Sequence, residues 1–110
     1  MLQIFYDPIH NIIEMDSLFL RFVDTPEFQR LRQFYQLGLA RFVFPGCTHS
    51  RFEHCIGTYH LAAQLVDAIQ NDPYCTAVRL SEGERLSVLI AALCHDLGRA
   101  WRACIRCKCV

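Results

Sequence analysis

Two polar stations stand out in a largely apolar chain. His95-Asp96 follows a nearly unbroken apolar run from Leu86 to Leu93. Ionisable groups closing a buried helix are costly unless they are paired or bind a metal. An imidazole beside a carboxylate suits a divalent cation such as Mn, Fe, Zn or Mg. His54 is a second candidate ligand, and Arg51 lies three residues before it, which on a helix puts both on one face. That face sits at a helix start, where backbone donors and the helix dipole favour an anion. A cation flanked by an arginine and a helix N-terminus makes a phosphate-processing site, because the cation polarises phosphoryl oxygens and acidifies a bound water. The same residues also fit a plainer arrangement, a capping histidine and a surface aspartate, and the doublet alone does not separate the two.

These groups need carriers. Residues 2–6 alternate weakly, Asp7-Pro8 signals a turn, and residues 12–15 return as a second short strand. Asp16 and Ser17 cap a helix over about 18–24. Thr25-Pro26-Glu27 reads as a fresh helix start that runs to Gly38 with Phe28, Leu31 and Phe34 or Tyr35 on one stripe. Phe42-Val43-Phe44 reads as extended and Pro45-Gly46 as a turn. Thr48 to Ser50 offers caps for a long helix over about 51–70, apolar on two sides and therefore expected between other helices. Ser81-Glu82-Gly83-Glu84 has the capping-box pattern ahead of a helix over about 85–97. That helix is apolar nearly all round, the pattern of a central core element. Tyr35 and Tyr59 are expected in the core, His10 in a turn, His49 near a cap and His60 on a helix surface.

With 110 residues, zero net charge and 53% hydrophobic residues, the chain reads as one globular domain. Its totals imply no general nucleic-acid-binding surface, although arginines cluster late in the chain and leave such binding open. No apolar run reaches the roughly 20 residues a bilayer span needs, and no export signal is visible. The seven cysteines are then expected as reduced thiols in the nucleus or cytoplasm, not in a secreted scaffold.

Six blocks occur together: Asp7-Pro8-Ile9-His10, Asp24-Thr25-Pro26-Glu27-Phe28-Gln29-Arg30-Leu31-Arg32, Gln36-Leu37-Gly38, Phe42-Val43-Phe44-Pro45-Gly46, His49-Ser50-Arg51-Phe52-Glu53-His54 and Cys94-His95-Asp96-Leu97-Gly98. In order and spacing they resemble the HD-domain deoxynucleoside-triphosphate triphosphohydrolases, above all the animal branch that joins a SAM domain to the HD domain. The resemblance covers residues 1–98. It implies a mainly α fold, a partial HD-domain helical core with a small N-terminal β-hairpin. It implies hydrolysis of a dNTP to a deoxynucleoside and triphosphate with a divalent metal. Position by position, His54, His95 and Asp96 resemble three of four metal ligands, and Arg51 the phosphate contact beside the metal. Gln36 and Leu37 resemble the pair against the deoxyribose. Asp24, Gln29 and Arg32 resemble the guanine-reading part of an allosteric GTP or dGTP site between subunits, which also implies a homo-oligomer or assembly with a full-length paralogue.

The departures from the family define further expectations. The fourth ligand, an Asp on a later helix, has no counterpart here. Arg99 stands where the family motif has a His, Gln3 where it has a basic residue, and Tyr6 where it has an Asn. No SAM domain is present. Residues 99–110 carry Cys104, Cys107 and Cys109 among cations and read as a divergent tail, from an alternative splice end, an intron read-through or a gene-model error. Zinc or copper binding by that Cys-x-x-Cys-x-Cys run and a prenylation box at the last four residues are the competing readings. The expectation is a truncated domain with exposed apolar surface, low stability or solubility, and weak or no activity. The alternative is a non-catalytic fragment that modulates a full-length HD enzyme through residues 24–44.

Overall fold

A computed structural model of the chain describes residues 2–74 and 79–98. It is mainly α-helical with a small N-terminal hairpin, as expected. Strand β1 (Leu2–Asp7) pairs antiparallel with β2 (Asn11–Asp16), Phe5 opposite Ile13 and Tyr6 opposite Ile12. The turn is fixed locally: one Asp7 carboxylate oxygen accepts from the backbone N–H groups of Ile9 and His10 at 2.8 and 2.9 Å. Asn11 closes it at φ +62°, a left-handed conformation that asparagine tolerates better than most residues. Strand alternation turns Ile13 and Met15 into the core and leaves Leu2, Ile4, Tyr6 and Ile12 exposed.

Helix α1 (Ser17–Val23) starts from the Asp16 cap and α2 (Pro26–Gln29) from the Thr25 cap. The expected helix to Gly38 is shorter than its signals indicate. After one α-turn the chain tightens into a 3-10 turn at Arg30–Gln33, and Phe34 is extended. The cause is non-local. Tyr35 bridges Ser50, the Gln36 N–H donates to the His49 carbonyl at 3.0 Å, and the Arg51 N–H donates to the Phe34 carbonyl at 2.8 Å. Phe28 and Leu31 are buried as the stripe requires, but Tyr35 is 40% exposed and not a core residue. Phe42-Val43-Phe44 is not a strand either: Gly38–Phe42 forms a second 3-10 turn, entered through Gly38 at φ +57°.

Helix α3 (Arg51–Asn71) and helix α4 (Glu82–Cys94) each begin with a complete capping box, Ser50 with Glu53 and Ser81 with Glu84. They run antiparallel, because Arg85 pairs with Asp67 at one end while Arg51 pairs with Asp96 at the other. The core joins Ile13 and Met15 to Phe19, Val23, Phe28 and Leu31, and these to Phe52, Cys55, Ile56 and Tyr59 of α3 and Leu89 and Leu93 of α4. Phe28 meets the Phe52 ring edge-on at 5.5 Å, and Phe19 lies tilted against Tyr59 at 4.9 Å. Each is an orientation in which ring quadrupoles attract.

Two expectations about helix faces change. Leu61 and Leu65, the second apolar face of α3, are exposed, and so is Val88 of α4. Among the described residues α4 buries one side, not its whole circumference. No helix among the described residues is long and apolar enough to cross a membrane.

Candidate metal and phosphate site

The antiparallel pairing of α3 and α4 brings the start of one helix to the end of the other. Arg51 is the first residue of α3 and His54 lies one turn further; His95 and Asp96 follow directly on α4. Their side chains converge. The Nε2 atoms of His54 and His95 are 3.1 Å apart, and Asp96 Oδ2 lies 3.7 Å from each. A point equidistant from the three atoms lies about 2 Å from each, the ligation distance for imidazole or carboxylate on a first-row divalent ion. The donor set therefore fits such an ion, with two nitrogens and one oxygen, and is the one group of this kind found among the described residues.

The protonation pattern agrees. His95 Nδ1 lies 2.8 Å from the Ala92 carbonyl; a carbonyl only accepts, so this nitrogen is the donor and Nε2 is the atom turned to the site. Orientation of a ligand imidazole by a backbone carbonyl is a recurrent feature of metal sites. His54 has its proton affinity lowered, first by burial, then by repulsion from His95, with Arg51 and His49 adding to it and Asp96 opposing. Its 3.7 Å approach to Asp96 brings two ligand atoms together. Asp96 is 4% exposed, and Arg51 Nη1 donates to its Oδ2 at 2.9 Å. Cys55, behind the site, has its thiol pushed up to about 11, mainly by burial, and behaves as an inert small hydrophobe. Burial also pushes the Cys94 thiol up.

Gln36 and Leu37 come close to this site along the backbone, since the hydrogen bonds of Phe34 and Gln36 to residues 49–51 tie their segment to the start of α3. Gln36 Oε1 is buried without a hydrogen-bond partner among the described residues. Leu37 is exposed. Asp24, Gln29 and Arg32 form a separate group. The Gln29 side-chain amide donates to the Val23 carbonyl at 2.8 Å and its oxygen accepts from Arg32 Nε at 2.8 Å. Arg32 stacks over the Phe52 ring at 3.6 Å, and Asp24 is exposed at the end of α1.

Three features escaped the sequence reading. The Ser50–Glu53 capping box was visible as Ser-x-x-Glu. The Ala92 carbonyl is marked by its position three residues before His95. An open cavity of about 600 Å³, lined by Asp7, His10, His49, Glu53, His54 and Thr58 among others, had no local signal, because it forms where the hairpin turn meets α3. His10 packs there against Gly57, where an added Cβ would lie 3.4 Å from its Nε2. The tail cysteines, Cys75 and Arg99 lie outside the described residues.

The HD domain family model matches residues 51–103, a stretch that opens on Arg51. The chain is 48% identical over 99 residues to the mouse deoxynucleoside triphosphate triphosphohydrolase SAMHD1, covering 89% of this chain and 15% of the relative. The human SAMHD1 is 48% identical over 98 residues, covering 88% of this chain and 15% of the relative. An uncharacterized Bacillus subtilis protein, YwfO, is 39% identical over 97 residues, 87% of this chain and 22% of its own length. The chain thus spans about 15% of the length of the SAMHD1 relatives.

Proposed function

The chain belongs to the HD-domain family, and from that premise we propose that it serves metal-dependent hydrolysis of a deoxynucleoside triphosphate to deoxynucleoside and triphosphate. The observation that carries this reading is the convergence of His54 Nε2, His95 Nε2 and Asp96 Oδ2 within 3.7 Å, with Arg51 on the same carboxylate oxygen. A divalent cation there would supply charge to polarise a phosphoryl oxygen and to acidify a water. His54, His95 and Asp96 hold it; Arg51 neutralises phosphate charge beside it, with a planar donor fork suited to phosphate oxygens. Gln36 offers its unpaired amide oxygen to a sugar hydroxyl, and Leu37 packs against the deoxyribose. Water adds to the α-phosphorus, the bond to the 5′ oxygen breaks, and the proton leaves with that oxygen. Asp24, Gln29 and Arg32 make the guanine-reading part of an effector site, with the exposed Asp24 carboxylate free to accept N–H donors from a purine edge.

Purified chain is assayed for triphosphate release from dGTP with Mn²⁺ or Mg²⁺. The expected result is weak turnover that disappears in His95→Ala, since positioning as well as charge sets the rate of phosphoryl chemistry. Turnover that survives His95→Ala refutes the reading.

One observation favours a second reading, a non-catalytic partner of a full-length HD enzyme. Leu37, Leu39, Phe42, Val43 and Phe44 are all more than half exposed, a density of apolar surface typical of contact sites. Absence of turnover together with co-purification of a full-length HD enzyme would favour it; no association at micromolar concentration removes it.

A further inference from the structure

Arg51 has a double engagement at the site. Its Nη1 donates to Asp96 Oδ2 at 2.9 Å, and that oxygen is the one facing both histidine Nε2 atoms. Its Nε is buried with no hydrogen-bond partner among the described residues, although its side chain keeps 17% of its exposure. The guanidinium is therefore only partly satisfied by Asp96, and a buried donor left open in this way is costly unless another acceptor arrives.

We infer that Arg51 is a counter-ion on loan: it neutralises Asp96 while the three-residue site is empty, and passes to a tetrahedral anion when a cation takes Asp96 Oδ2. The inference rests on the proposed metal site and adds a thermodynamic consequence to it. A guanidinium and a divalent cation sharing one carboxylate oxygen repel across a few ångströms of partly buried space. Arg51 then weakens cation binding when no anion is present. An anion that draws Arg51 away through its Nε and Nη donors relieves the repulsion and restores the carboxylate to the cation. Cation and anion bind with positive coupling, and linkage makes the coupling equal in both directions. Coupled sites commonly differ by roughly 5- to 150-fold in affinity, and a factor of about ten is expected here. The device would keep the cation weakly held until a phosphate group is in place, so Arg51 acts as a positioning residue for the cation as well as an anion contact.

The test is Mn²⁺ binding to the full chain, followed by the paramagnetic signal of free Mn²⁺, with and without sulfate, a tetrahedral dianion that chelates Mn²⁺ only weakly. Four chains are compared: wild type, Arg51→Gln, Arg51→Lys and His95→Ala. Sulfate should tighten Mn²⁺ binding to wild type about tenfold. Arg51→Gln, which keeps an amide donor for Asp96 but no charge, should bind Mn²⁺ about tenfold tighter than wild type without sulfate and lose the sulfate response. Arg51→Lys keeps the charge and should stay near wild type without sulfate. Mn²⁺ binding to Arg51→Gln that is equal to or weaker than wild type overturns the inference and makes Arg51 a support for Asp96. If Arg51→Gln does not fold by far-ultraviolet circular dichroism, the wild-type response decides: no sulfate effect overturns the inference. Mn²⁺ binding that His95→Ala leaves intact removes the metal site itself, an outcome distinct from loss of coupling alone.

Discussion

Replacing Asp96 by Asn separates what the carboxylate does for folding from what it does for a cation. The substitution keeps the shape and removes the charge. Asp96 is 4% exposed and its partner Arg51 keeps 17% side-chain exposure. Deleting one member of a well-buried ion pair costs about 3–5 kcal/mol. Here the asparagine oxygen still accepts from Arg51, and water reaches the guanidinium, so the expected loss is about 1–3 kcal/mol. In the wild-type chain, Mn²⁺ at 100 times its dissociation constant adds about 2.7 kcal/mol. For a domain near this size that raises the unfolding midpoint by roughly 10–20 °C. The Asn variant, left with His54 and His95, should show little or no Mn²⁺ shift in the same thermal scan. The assay is far-ultraviolet circular dichroism with Mn²⁺ or with chelator. An Asp96→Asn chain that gains the wild-type shift in Mn²⁺ refutes the assignment of Oδ2 as a ligand atom. An unfolding midpoint higher than wild type in chelator refutes the Arg51 pair as a stabilising contact.

Two further outcomes follow from packing and capping. Leu93 is fully buried two residues before His95, so Leu93→Ala should cost about 2–5 kcal/mol and also loosen Mn²⁺ binding, read from urea midpoints and Mn²⁺ titrations; a loss below 1 kcal/mol would mean that α4 is not packed as described. The Glu84 carboxyl is held below its ordinary value of 4.5 by hydrogen bonds from the Ser81 backbone and hydroxyl. A depressed carboxylate contributes stability that is present above 4.5 and lost as pH falls through its lower folded value. Amide-exchange protection in the first turn of α4, taken relative to the intrinsic rate at each pH, should therefore fall on acidification below pH 4.5, and Glu84→Gln should remove that step.

The candidate ligands were legible because local signals place them. Arg51 and His54 share a helix face by spacing, and an apolar run carries the chain straight to His95-Asp96. The capping pattern at Ser81 also marked the start of α4, although the helix ends at Cys94 and leaves the doublet in the turn beyond it. What the sequence hid is non-local. Nothing near Phe34 announces that residues 34–36 will pair with residues 49–51, yet that pairing ends the second helical segment at Gln33, five residues before Gly38, and pulls Tyr35 out of the core. Helix propensity is a weak prior, and tertiary hydrogen bonds override it. Leu61, Leu65 and Val88 show the opposite error: apolar spacing promised burial on a second side, but an amphipathic pattern records what a helix can bury and cannot name the neighbour that buries it.

The arrangement of the two helix ends would let a cation and an anion share so small a site. The end of α4 carries partial negative charge from its unpaired carbonyls, and the start of α3 carries partial positive charge from its unpaired N–H groups. The antiparallel pairing places these ends together, with His95 and Asp96 on the first and Arg51 on the second. Two of the three cation ligands stand where the backbone already favours positive charge, and the anion contact where it favours negative charge; His54, one turn into α3, is the exception. The His95 ring serves both levels at once: its Nδ1 proton satisfies the Ala92 carbonyl near the helix end, and the same bond leaves Nε2 facing His54 and Asp96. A single helix terminus could bias only one sign of charge. Two opposed termini, joined by the Arg51–Asp96 contact, give the site both signs without burying an unpaired ion.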